Sequence, residues 1–499
     1  MAFDSAPIGL RQLVAAVEGA RLVQGDPETM VRGVANDTRR LRAGELFVAI
    51  PGFQQDALAF VPEAVRKGAS AIAAEALPAH LQPDVPLLLV PSARRALADL
   101  SAAFYRYPSQ LMPVVGVTGT DGKTSTIHLL SAILEAHGLT TGWLTTVNTK
   151  IGAELRPNAA ENTTPEAPLV QQALAEMVDA GVQVALLETS SHALALERVR
   201  GTHYRVGVFT NLSPEHINFH GSLEAYREAK SRLFASLPED GLAVLNADDP
   251  NSQTMRAVTR ARVLTYGLEQ PADITASDVQ LGPDGTCFVV EGRRIRTQLV
   301  ARFNVSNWLA AYAAATAFGA SPDDLRAAAE TQAPVPGRMN LVRAGQPFTV
   351  VVDFAHTPQA LEKALDTLRS LVAGRVLLVF GLAGGRDFAN RPVMGRLAAE
   401  KTNFFVISMD DPGPEDPAVI ADQIAQGAAG GGSNFIIDLD RRSAVRRALE
   451  AAQPGDVVLL AGKGHENRMV VGDQRLPWSD TQAAYDELAR LGWQIQPVL

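Results

Sequence analysis

The strongest constraint on this 499-residue sequence is a short apolar stretch that runs directly into a glycine-rich turn. Residues 114–118 (Val-Val-Gly-Val-Thr) have the composition of a buried strand, and residues 119–124 read Gly-Thr-Asp-Gly-Lys-Thr. Apolar residues then recur at helical spacing over 127–134, and Gly138 is a suitable helix terminator. A strand, a glycine loop and a helix in this order predict a phosphate-binding loop.

Each residue type in this turn suits the binding of a nucleotide. Glycines allow backbone N–H groups to approach phosphate oxygens, and a helix N-terminus favours anions. Lys123 can neutralise the β and γ oxygens, and the Thr124 hydroxyl can reach Mg²⁺. Because Val117 stands where the common spacing has its first glycine, this is a variant loop. The predicted ATP contacts are Gly119, Thr120, Asp121, Gly122, Lys123, Thr124 and Ser125.

Composition excludes several other classes of protein. A net charge of −9 argues against non-specific nucleic-acid binding, which needs a basic face. Cys287 is the only cysteine, so the chain has neither an internal disulfide nor a cysteine-based metal site. The longest apolar stretch, residues 308–320, is shorter than a membrane span and predicts a buried helix. Without a recognisable signal peptide, we expect a cytoplasmic protein with no membrane insertion.

Two proline-containing connections, at 105–113 and 333–338, divide the chain into three segments. The predicted domains are therefore 1–110, 111–336 and 337–499. In the last segment, apolar stretches alternate with helical ones, which predicts an α/β fold with a parallel, doubly wound sheet. The predicted strands there are 349–354, 375–380, 404–408, 435–438 and 457–461.

The loop resembles the ATP-binding loop of the Mur ligase family, most closely that of the MurE type. Further motifs in the same order extend this resemblance over most of the chain. They are Asn162-Thr-Thr164, Glu188-Thr-Ser-Ser-His192, Asn211-Leu-Ser-Pro-Glu-His216, Ala229-Lys230, Asn246-Ala-Asp-Asp249, Phe303-Asn-Val-Ser-Asn307, Pro336-Gly-Arg338, Asp353-Phe-Ala-His-Thr-Pro358 and Gly462-Lys-Gly-His-Glu466.

The resemblance implies a fold and a reaction. The fold is a UDP-binding α/β domain, a central P-loop ATPase-like parallel-sheet domain and a C-terminal Rossmann-like domain. In the reaction, ATP phosphorylates the terminal carboxylate of UDP-N-acetylmuramoyl-L-alanyl-D-glutamate. The amine of a free diamino acid then attacks the acyl phosphate. We expect these two substrates as partners, no nucleic acid and no membrane insertion, and a monomeric protein.

The resemblance also implies roles for individual residues. Catalysis is assigned to Lys123, Glu188, His216 and Lys230. Thr124, Glu188, His216 and a carbamylated Lys230 are the implied Mg²⁺ ligands, whereas a helical lysine without such a role would be solvated surface. Further ATP contacts are Asn307, Arg338 and Asp353. The implied contacts to the sugar nucleotide and its dipeptide are Thr38, Gln54, Gln55, Asn162, Thr163, Thr164, Ser190 and Arg198.

The third segment should recognise the incoming amino acid. The implied contacts are Arg386, Asp410, Asp411, Gly413, Gly462 and Glu466. Relatives that use meso-diaminopimelate carry Asp-Asn-Pro-Arg where this chain has Asp-Asp-Pro-Gly at 410–413. Glycine cannot pair with the distal carboxylate of that substrate, so the sequence predicts L-lysine or L-ornithine. The alternative is meso-diaminopimelate, with Arg386, Arg391 or Arg396 replacing the missing arginine.

Two other functions are consistent with a phosphate loop. A folylpolyglutamate-synthetase-like ligase lacks the UDP-binding segment, which is indicated here by the motifs at 36–39 and 44–52. An inactive nucleotide-binding homologue would be expected to have lost Lys123, Glu188, His216 or Lys230, and all four are present. A dehydrogenase is disfavoured because Gly-Lys-Thr forms a phosphate cradle rather than a dinucleotide turn.

Overall fold

The computed structural model describes residues 6–52, 57–76, 84–158, 162–282, 285–431 and 434–493. They form two compact units. The first comprises residues 1–212, 224–273 and 310–321, and the second comprises 213–223, 274–309 and 322–499. In the described part of the chain, every helix is too short or too polar to cross a membrane.

The first segment is a small α/β layer within the first unit. Its strands are β1 (Ile8–Gly9), β2 (Arg21–Gln24), β3 (Met30–Val31), β4 (Val34–Ala35), β5 (Leu46–Val48), β6 (Ala71–Ala74) and β7 (Leu87–Leu89). Its helices are α1 (Leu10–Ala15), α2 (Val61–Arg66) and α3 (Ala93–Phe104). The sheet order is β2-β7-β6-β5-β4, parallel except for the β2–β7 pair. Alternate strand residues enter cores on opposite faces of this sheet.

The central segment contains a larger sheet and the predicted phosphate loop. Its strands are β8 (Val114–Thr118), β9 (Thr141–Leu144), β10 (Asn148–Ile151), β11 (Glu154–Pro157), β12 (Val184–Glu188), β13 (Tyr204–Phe209), β14 (Leu242–Asn246), β15 (Arg262–Gly267), β16 (Ile274–Thr275), β17 (Ser277–Gly282), β18 (Gly285–Val290) and β19 (Arg293–Thr297). Its helices are α4 (Lys123–Ala136), α5 (Ala167–Asp179), α6 (Ser191–Ala195), α7 (Ile217–His220), α8 (Leu223–Ala235), α9 (Ser252–Val258), α10 (Arg302–Ala315) and α11 (Pro322–Thr331).

Strand β8 lies in the middle of the sheet of the first unit. The order is β11-β10-β9-β12-β8-β13-β14-β15, and β9, β12, β8, β13, β14 and β15 run parallel. All residues of β8 and β12 are buried, which explains their continuous apolar sequences. Because β12 and β13 flank β8, the residues that follow these three strands meet at one edge.

The C-terminal segment forms a doubly wound domain in the second unit. Its strands are β20 (Asn340–Val342), β21 (Thr349–Asp353), β22 (Val376–Phe380), β23 (Phe404–Ile407), β24 (Asn434–Ile437), β25 (Val457–Ala461), β26 (Arg468–Val471) and β27 (Gln474–Pro477). Its helices are α12 (Pro358–Leu371), α13 (Asn390–Lys401), α14 (Pro417–Ala428), α15 (Arg441–Ala451) and α16 (Asp480–Arg490).

The main sheet of this domain has the order β20-β21-β25-β22-β23-β24, and only the β20–β21 pair is antiparallel. Helices α12, α13 and α14 cover one face, and α15 and α16 cover the other. The predicted α/β class and the doubly wound C-terminal sheet are therefore confirmed. The five strands predicted there agree with the observed ones to within one residue at each end.

A buried ion pair joins the first residues of helices α15 and α16. Arg441 at the start of α15 donates to both carboxylate oxygens of Asp480 at 2.8 and 2.7 Å, and both side chains are almost fully buried. The same guanidinium donates to the carbonyl oxygens of Met409 (3.1 Å) and Ala461 (2.8 Å). These two residues lie beside the segments that carry the predicted amino-acid contacts.

Asp480→Ala should lower the free energy of unfolding by about 3–5 kcal/mol, because it leaves a buried guanidinium without its counter-ion. Asp366→Ala is the matched control: Asp366 pairs with Lys401 at 2.7 Å on the surface, and its loss should cost less than about 1 kcal/mol. Urea denaturation of the full chain measures both. Equal effects would show that Arg441 does not depend on Asp480.

Candidate functional site

The predicted phosphate loop, residues 119–123, closely approaches the chain that follows β13. Gly119 has φ +151° and Gly122 has φ +85°. A Cβ atom on Gly119 would lie 1.9 Å from Thr210 Oγ1 and 3.0 Å from the Asn211 backbone nitrogen. Since a side chain here would force Thr210 or the loop to shift, and φ +151° lies in a region that favours glycine, glycine suits this position.

Asn211 holds the phosphate loop in place through hydrogen bonds from both its backbone and its side chain. Its carbonyl oxygen accepts from the Thr120 N–H at 2.9 Å, and its Oδ1 accepts from the Asp121 N–H at 2.9 Å. Its Nδ2 donates to the Asp121 carbonyl at 3.1 Å, which also accepts from Thr210 Oγ1 at 2.6 Å. The motif containing Asn211 was noted in the sequence, but this structural role was not predicted.

Lys123 begins helix α4 and folds back over the loop. Its Nζ donates to the carbonyl oxygens of Thr120 at 2.7 Å and Gly119 at 3.2 Å. The ammonium therefore lies at the helix N-terminus, where an anion is favoured. Thr120 is buried, and its hydroxyl is 3.1 Å from the Tyr226 hydroxyl. Ser125 is also buried, within the first turn of α4.

Thr124 and Glu188 come together at the end of the sheet, as predicted. The Thr124 hydroxyl donates to Glu188 Oε2 at 2.9 Å, and the Thr146 N–H donates to the same oxygen at 2.9 Å. Glu188 is the last residue of β12 and only 2% exposed. A hydroxyl and a carboxylate beside a phosphate cradle are hard oxygen donors, so these residues fit the requirements of Mg²⁺.

Lys230 is not the solvated surface residue that its helical position alone would suggest. It is 1% exposed, and its Nζ donates to the Gly119 carbonyl at 2.5 Å. The same nitrogen lies 4.4 Å from the centroid of the Tyr226 ring. The structure thus places Lys230 directly against the phosphate loop, although its carbamylation stays a prediction.

A second group of predicted residues lies beside Glu188. The Thr164 hydroxyl donates to the Glu188 carbonyl at 2.6 Å, and it is 3.1 Å from Ser190 Oγ. Arg198 donates to the Thr164 carbonyl at 3.2 Å and pairs with Glu166 at 2.8 Å. These contacts bring Thr164, Ser190 and Arg198 together on the same side of the sheet.

Arg198 is a largely buried cation beside Thr164 and Glu166. Its Nε is buried and has no hydrogen-bond partner in the described part of the chain. Burial lowers the pKa of this arginine, and the charge of Glu166 opposes that effect. The side chain keeps 11% of its surface exposed, and an anionic ligand at that exposed part would compensate the buried charge. This arrangement fits the predicted contact to a substrate carboxylate.

The remaining predicted sugar-nucleotide contacts are less informative. Asn162 is exposed and Thr163 is half-buried, in the segment before α5. Thr38 is 7% exposed, and its carbonyl accepts from Lys67 Nζ at 2.8 Å. Gln54 and Gln55 lie outside the described residues. The roles of these residues stay predictions.

Four of the residues predicted to bind ATP or the metal belong to the second unit. His216 precedes helix α7 with φ +56°, seven residues beyond the end of β13, and its Nε2 is 3.5 Å from Glu215 Oε1. Asn307 lies on α10 and donates to Asn304 Oδ1 at 3.1 Å. Arg338 stacks over the Phe354 ring at 4.6 Å. Asp353 ends β21 and accepts from the N–H of Met339 at 2.7 Å.

The predicted amino-acid contacts include a compact acid cluster, here defined as Asp410, Asp411 and Glu466. Their carboxylate oxygens lie within 4.8 Å of one another. Lys463, which was not predicted as a site residue, is fully buried among them. Its Nζ lies 2.5 Å from Glu466 Oε2, 2.8 Å from Asp411 Oδ1 and 3.5 Å from Asp410 Oδ1.

Burial and charge act in opposite directions within this cluster. Burial raises the pKa of Asp410 and that of Glu466, while the charge of Lys463 opposes both shifts. Burial would lower the pKa of Lys463, but the charges of Asp410, Glu466 and Asp411 outweigh it, so that this pKa is raised. Lys463 therefore keeps its positive charge at neutral pH.

The other predicted amino-acid contacts lie near the acid cluster in sequence or space. Gly462 follows β25 with φ +107°, and a Cβ there would be 2.4 Å from Asp410 Oδ2. Gly413 has φ +56°, and its N–H donates to the Val470 carbonyl at 3.1 Å. Arg386 is exposed in the turn between β22 and α13.

Three arginines could replace the arginine of the Asp-Asn-Pro-Arg motif, and they differ in whether they are free to bind a substrate carboxylate. Arg391 is fully buried and donates to both carboxylate oxygens of Glu415, at 2.6 and 2.9 Å. These hydrogen bonds hold the pKa of Glu415 at about 2. Arg396 is exposed on α13. Arg391 is thus committed to an internal ion pair, which leaves Arg386 and Arg396 as exposed candidates.

Gly119→Ala should weaken ATP binding by at least about tenfold, because its methyl group would collide with Thr210 and displace the loop. The matched control is Gly9→Ala, where a Cβ meets no atom within 4 Å. Titration calorimetry with a non-hydrolysable ATP analogue measures the two affinities. Unchanged binding by Gly119→Ala would contradict the role of the loop.

Comparison with known proteins identifies the family. The Mur ligase middle domain matches residues 117–315, and the Mur ligase, glutamate ligase domain, matches residues 337–464. The chain is 42% identical over 498 residues to the UDP-N-acetylmuramyl-tripeptide synthetase of Roseiflexus sp. (strain RS-1), which covers 95% of this chain and 97% of that relative.

Two further relatives agree with this result. Identity is 41% over 470 residues to the UDP-N-acetylmuramoyl-L-alanyl-D-glutamate--2,6-diaminopimelate ligase of Geobacillus thermodenitrificans (strain NG80-2), with 92% of this chain and 95% of that one covered. A solved structure of a ligase with the same name superposes with a TM-score of 0.67 at 30% identity, and covers 98% of this chain and 100% of that one. This chain belongs to the Mur ligase family.

Proposed function

We propose that this protein is an ATP-dependent ligase that joins a diamino acid to UDP-N-acetylmuramoyl-L-alanyl-D-glutamate. The observation that carries the proposal is the bond between Thr124 and the buried Glu188 beside Lys123, within a chain that is 42% identical to a tripeptide synthetase. The reaction is a step of peptidoglycan precursor synthesis. We assign sugar-nucleotide binding to residues 1–110, ATP binding to 111–336 and amino-acid binding to 337–499.

The chemistry requires activation of a carboxylate, whose own leaving group would be oxide. A carboxylate oxygen attacks the γ-phosphorus of ATP, the bond to the β-phosphate oxygen breaks, and ADP leaves. The amine nitrogen of the amino acid then attacks the acyl carbon, the bond to the phosphate oxygen breaks, and the amine loses a proton. The protein contributes positioning and electrostatic stabilisation.

Individual residues supply these contributions in the first unit. Lys123 compensates the charge of the phosphates at the N-terminus of α4. Arg198, a largely buried cation, holds a carboxylate of the dipeptide, and Ser190 and Thr164 line the same side. Thr124 and Glu188 would hold Mg²⁺, which neutralises phosphate oxygens when it is bound. The part of His216 in metal binding stays a prediction.

Lys230 is the candidate for carbamylation. Its Nζ is buried against the loop carbonyl of Gly119, where a carbamate would place carboxylate-like oxygens beside the phosphates. The neutral amine adds to the carbon of CO₂ and loses a proton. Native mass spectrometry in bicarbonate buffer should show an added CO₂ that is absent from Lys230→Ala. Carbamylation would be contradicted if the wild-type protein, like Lys230→Ala, had the mass calculated from its sequence with no added CO₂.

We further propose that the added amino acid is L-lysine or L-ornithine. Gly413 offers no side chain to a distal carboxylate, and Arg391 is occupied by Glu415. The acid cluster carries three carboxylates against the single ammonium of Lys463, which favours a cationic side chain. The meso-diaminopimelate alternative needs Arg386 or Arg396 to bind the distal carboxylate instead.

The folylpolyglutamate-type alternative is disfavoured by the extent of the likeness to tripeptide synthetases. The 42% identity extends over 95% of this chain and includes the N-terminal segment with its separate five-stranded sheet. An inactive nucleotide-binding homologue is disfavoured because it would be expected to have lost Lys123, Glu188, His216 or Lys230, and all four are present. A monomeric state and a cytoplasmic location remain our proposals.

Purified protein should release phosphate from ATP only when both the UDP-dipeptide and a diamino acid are present. Lys123→Met should reduce this rate about 100-fold or more, since it removes the cation that stabilises the phosphates. Lys401→Met, at an exposed ion pair on α13, is the control and should leave the rate unchanged. An active Lys123→Met protein would contradict the assignment of the loop.

Competition among the three amino acids tests the proposed specificity. With equal concentrations of L-lysine, L-ornithine and meso-diaminopimelate, mass analysis of the UDP-tripeptide should show lysine or ornithine in excess. All three substrates carry a distal ammonium, but meso-diaminopimelate also carries a distal carboxylate, which the acid cluster repels. Faster incorporation of meso-diaminopimelate would contradict this specificity while leaving the ligase assignment intact.

A further inference from the structure

The acid cluster contains a cation that belongs to the protein itself. Lys463 is fully buried, and its ammonium contacts Asp411 and Glu466 at hydrogen-bonding distance, with Asp410 slightly farther away. Three carboxylates and one ammonium leave a formal net charge of −2. Lys463 therefore reduces the negative charge that an incoming side chain would encounter.

The backbone around Lys463 leaves it little freedom to move away. A Cβ on the preceding Gly462 would lie 2.4 Å from Asp410 Oδ2, and one on the following Gly464 would lie 2.7 Å from Phe354 Cβ. Arg441 donates to the carbonyl oxygens of Met409 and Ala461, which immediately precede the two segments of the cluster. The ammonium is therefore fixed by a tightly packed frame.

The three acids are not equally available to a ligand. Asp411 Oδ1 accepts from both Lys463 Nζ and the Val470 N–H at 2.8 and 2.9 Å, so this oxygen is committed. Asp410 is 7% exposed and lies behind Gly462. The Glu466 side chain is 33% exposed. A ligand ammonium would therefore meet Glu466 and would share this carboxylate with Lys463.

We propose that Lys463 is a specificity-determining residue, whose fixed ammonium sets how strongly the site prefers a cationic amino-acid side chain over a zwitterionic one that also carries a carboxylate. This inference rests on the proposed ligase function and on the placement of the amino acid at this cluster. Removal of the ammonium changes the cluster from −2 to −3, whereas Asp411→Asn changes it to −1 and preserves the shape of the side chain. The two changes should shift substrate preference in opposite directions.

The test compares kcat/KM for L-ornithine, L-lysine and meso-diaminopimelate in wild type, Lys463→Met and Asp411→Asn. The ratio of either diamine to meso-diaminopimelate should rise about tenfold or more in Lys463→Met and fall by a similar factor in Asp411→Asn. Lys401→Met should leave the ratio unchanged. Because damage to the fold lowers activity with all three amino acids alike, the ratio separates electrostatic selection from a structural role.

Several outcomes are decisive. Ratios that stay within about twofold of wild type in both variants, or that move in the same direction, would overturn the proposal. If Lys463→Met fails to fold, the ratio in the isosteric Asp411→Asn decides alone. A wild-type protein that forms no product with any of the three amino acids would instead contradict the ligase function, and this result is distinct from unchanged ratios.

Discussion

The site in the first unit depends on one feature of the fold: the ends of three neighbouring strands meet at one place. The hydrogen bond between Thr124 and Glu188 joins two of them. Strand β8 leads into the phosphate loop, β12 ends in Glu188, and the chain after β13 supplies Asn211. Because these strands pair in parallel in the order β12-β8-β13, the loop, Glu188 and Asn211 are neighbours. The fold thereby holds a carboxylate, a hydroxyl and an ammonium at one place, which reduces the reorganisation that catalysis requires.

The phosphate loop and the strands of the C-terminal domain could be predicted from the sequence because both follow from local patterns. The strand, loop and helix of residues 114–136 follow from apolar periodicity and glycine placement, and Lys123 and Thr124 follow from the loop. The alternating strands of the C-terminal segment predicted its doubly wound sheet, which is confirmed. Family membership, predicted from ordered motifs, is also confirmed by identity over nearly the whole chain. The domain boundaries and individual ligand contacts stay predictions.

What the sequence could not supply are contacts between distant segments. Lys230 lies on an amphipathic helix and gives no local sign that it is buried against Gly119, 111 residues earlier. Asn211 follows an apolar strand, and its bonds to Asp121 depend on the order of strands in the sheet. Lys463 was seen only as part of a motif, because its pairing with Asp411 spans 52 residues. The two acidic residues at 410–411 were evident in the sequence, whereas the partial neutralisation of their charge by Lys463 was not.

The central claim is that the protein activates a substrate carboxylate as an acyl phosphate held at the loop of Lys123. Its most direct test labels both oxygens of the glutamate side-chain carboxylate of the UDP-dipeptide with ¹⁸O and follows the label by mass spectrometry. One ¹⁸O atom should appear in each phosphate released, and the other should remain in the new amide. Phosphate that contains no label, formed together with the peptide product, would contradict the account.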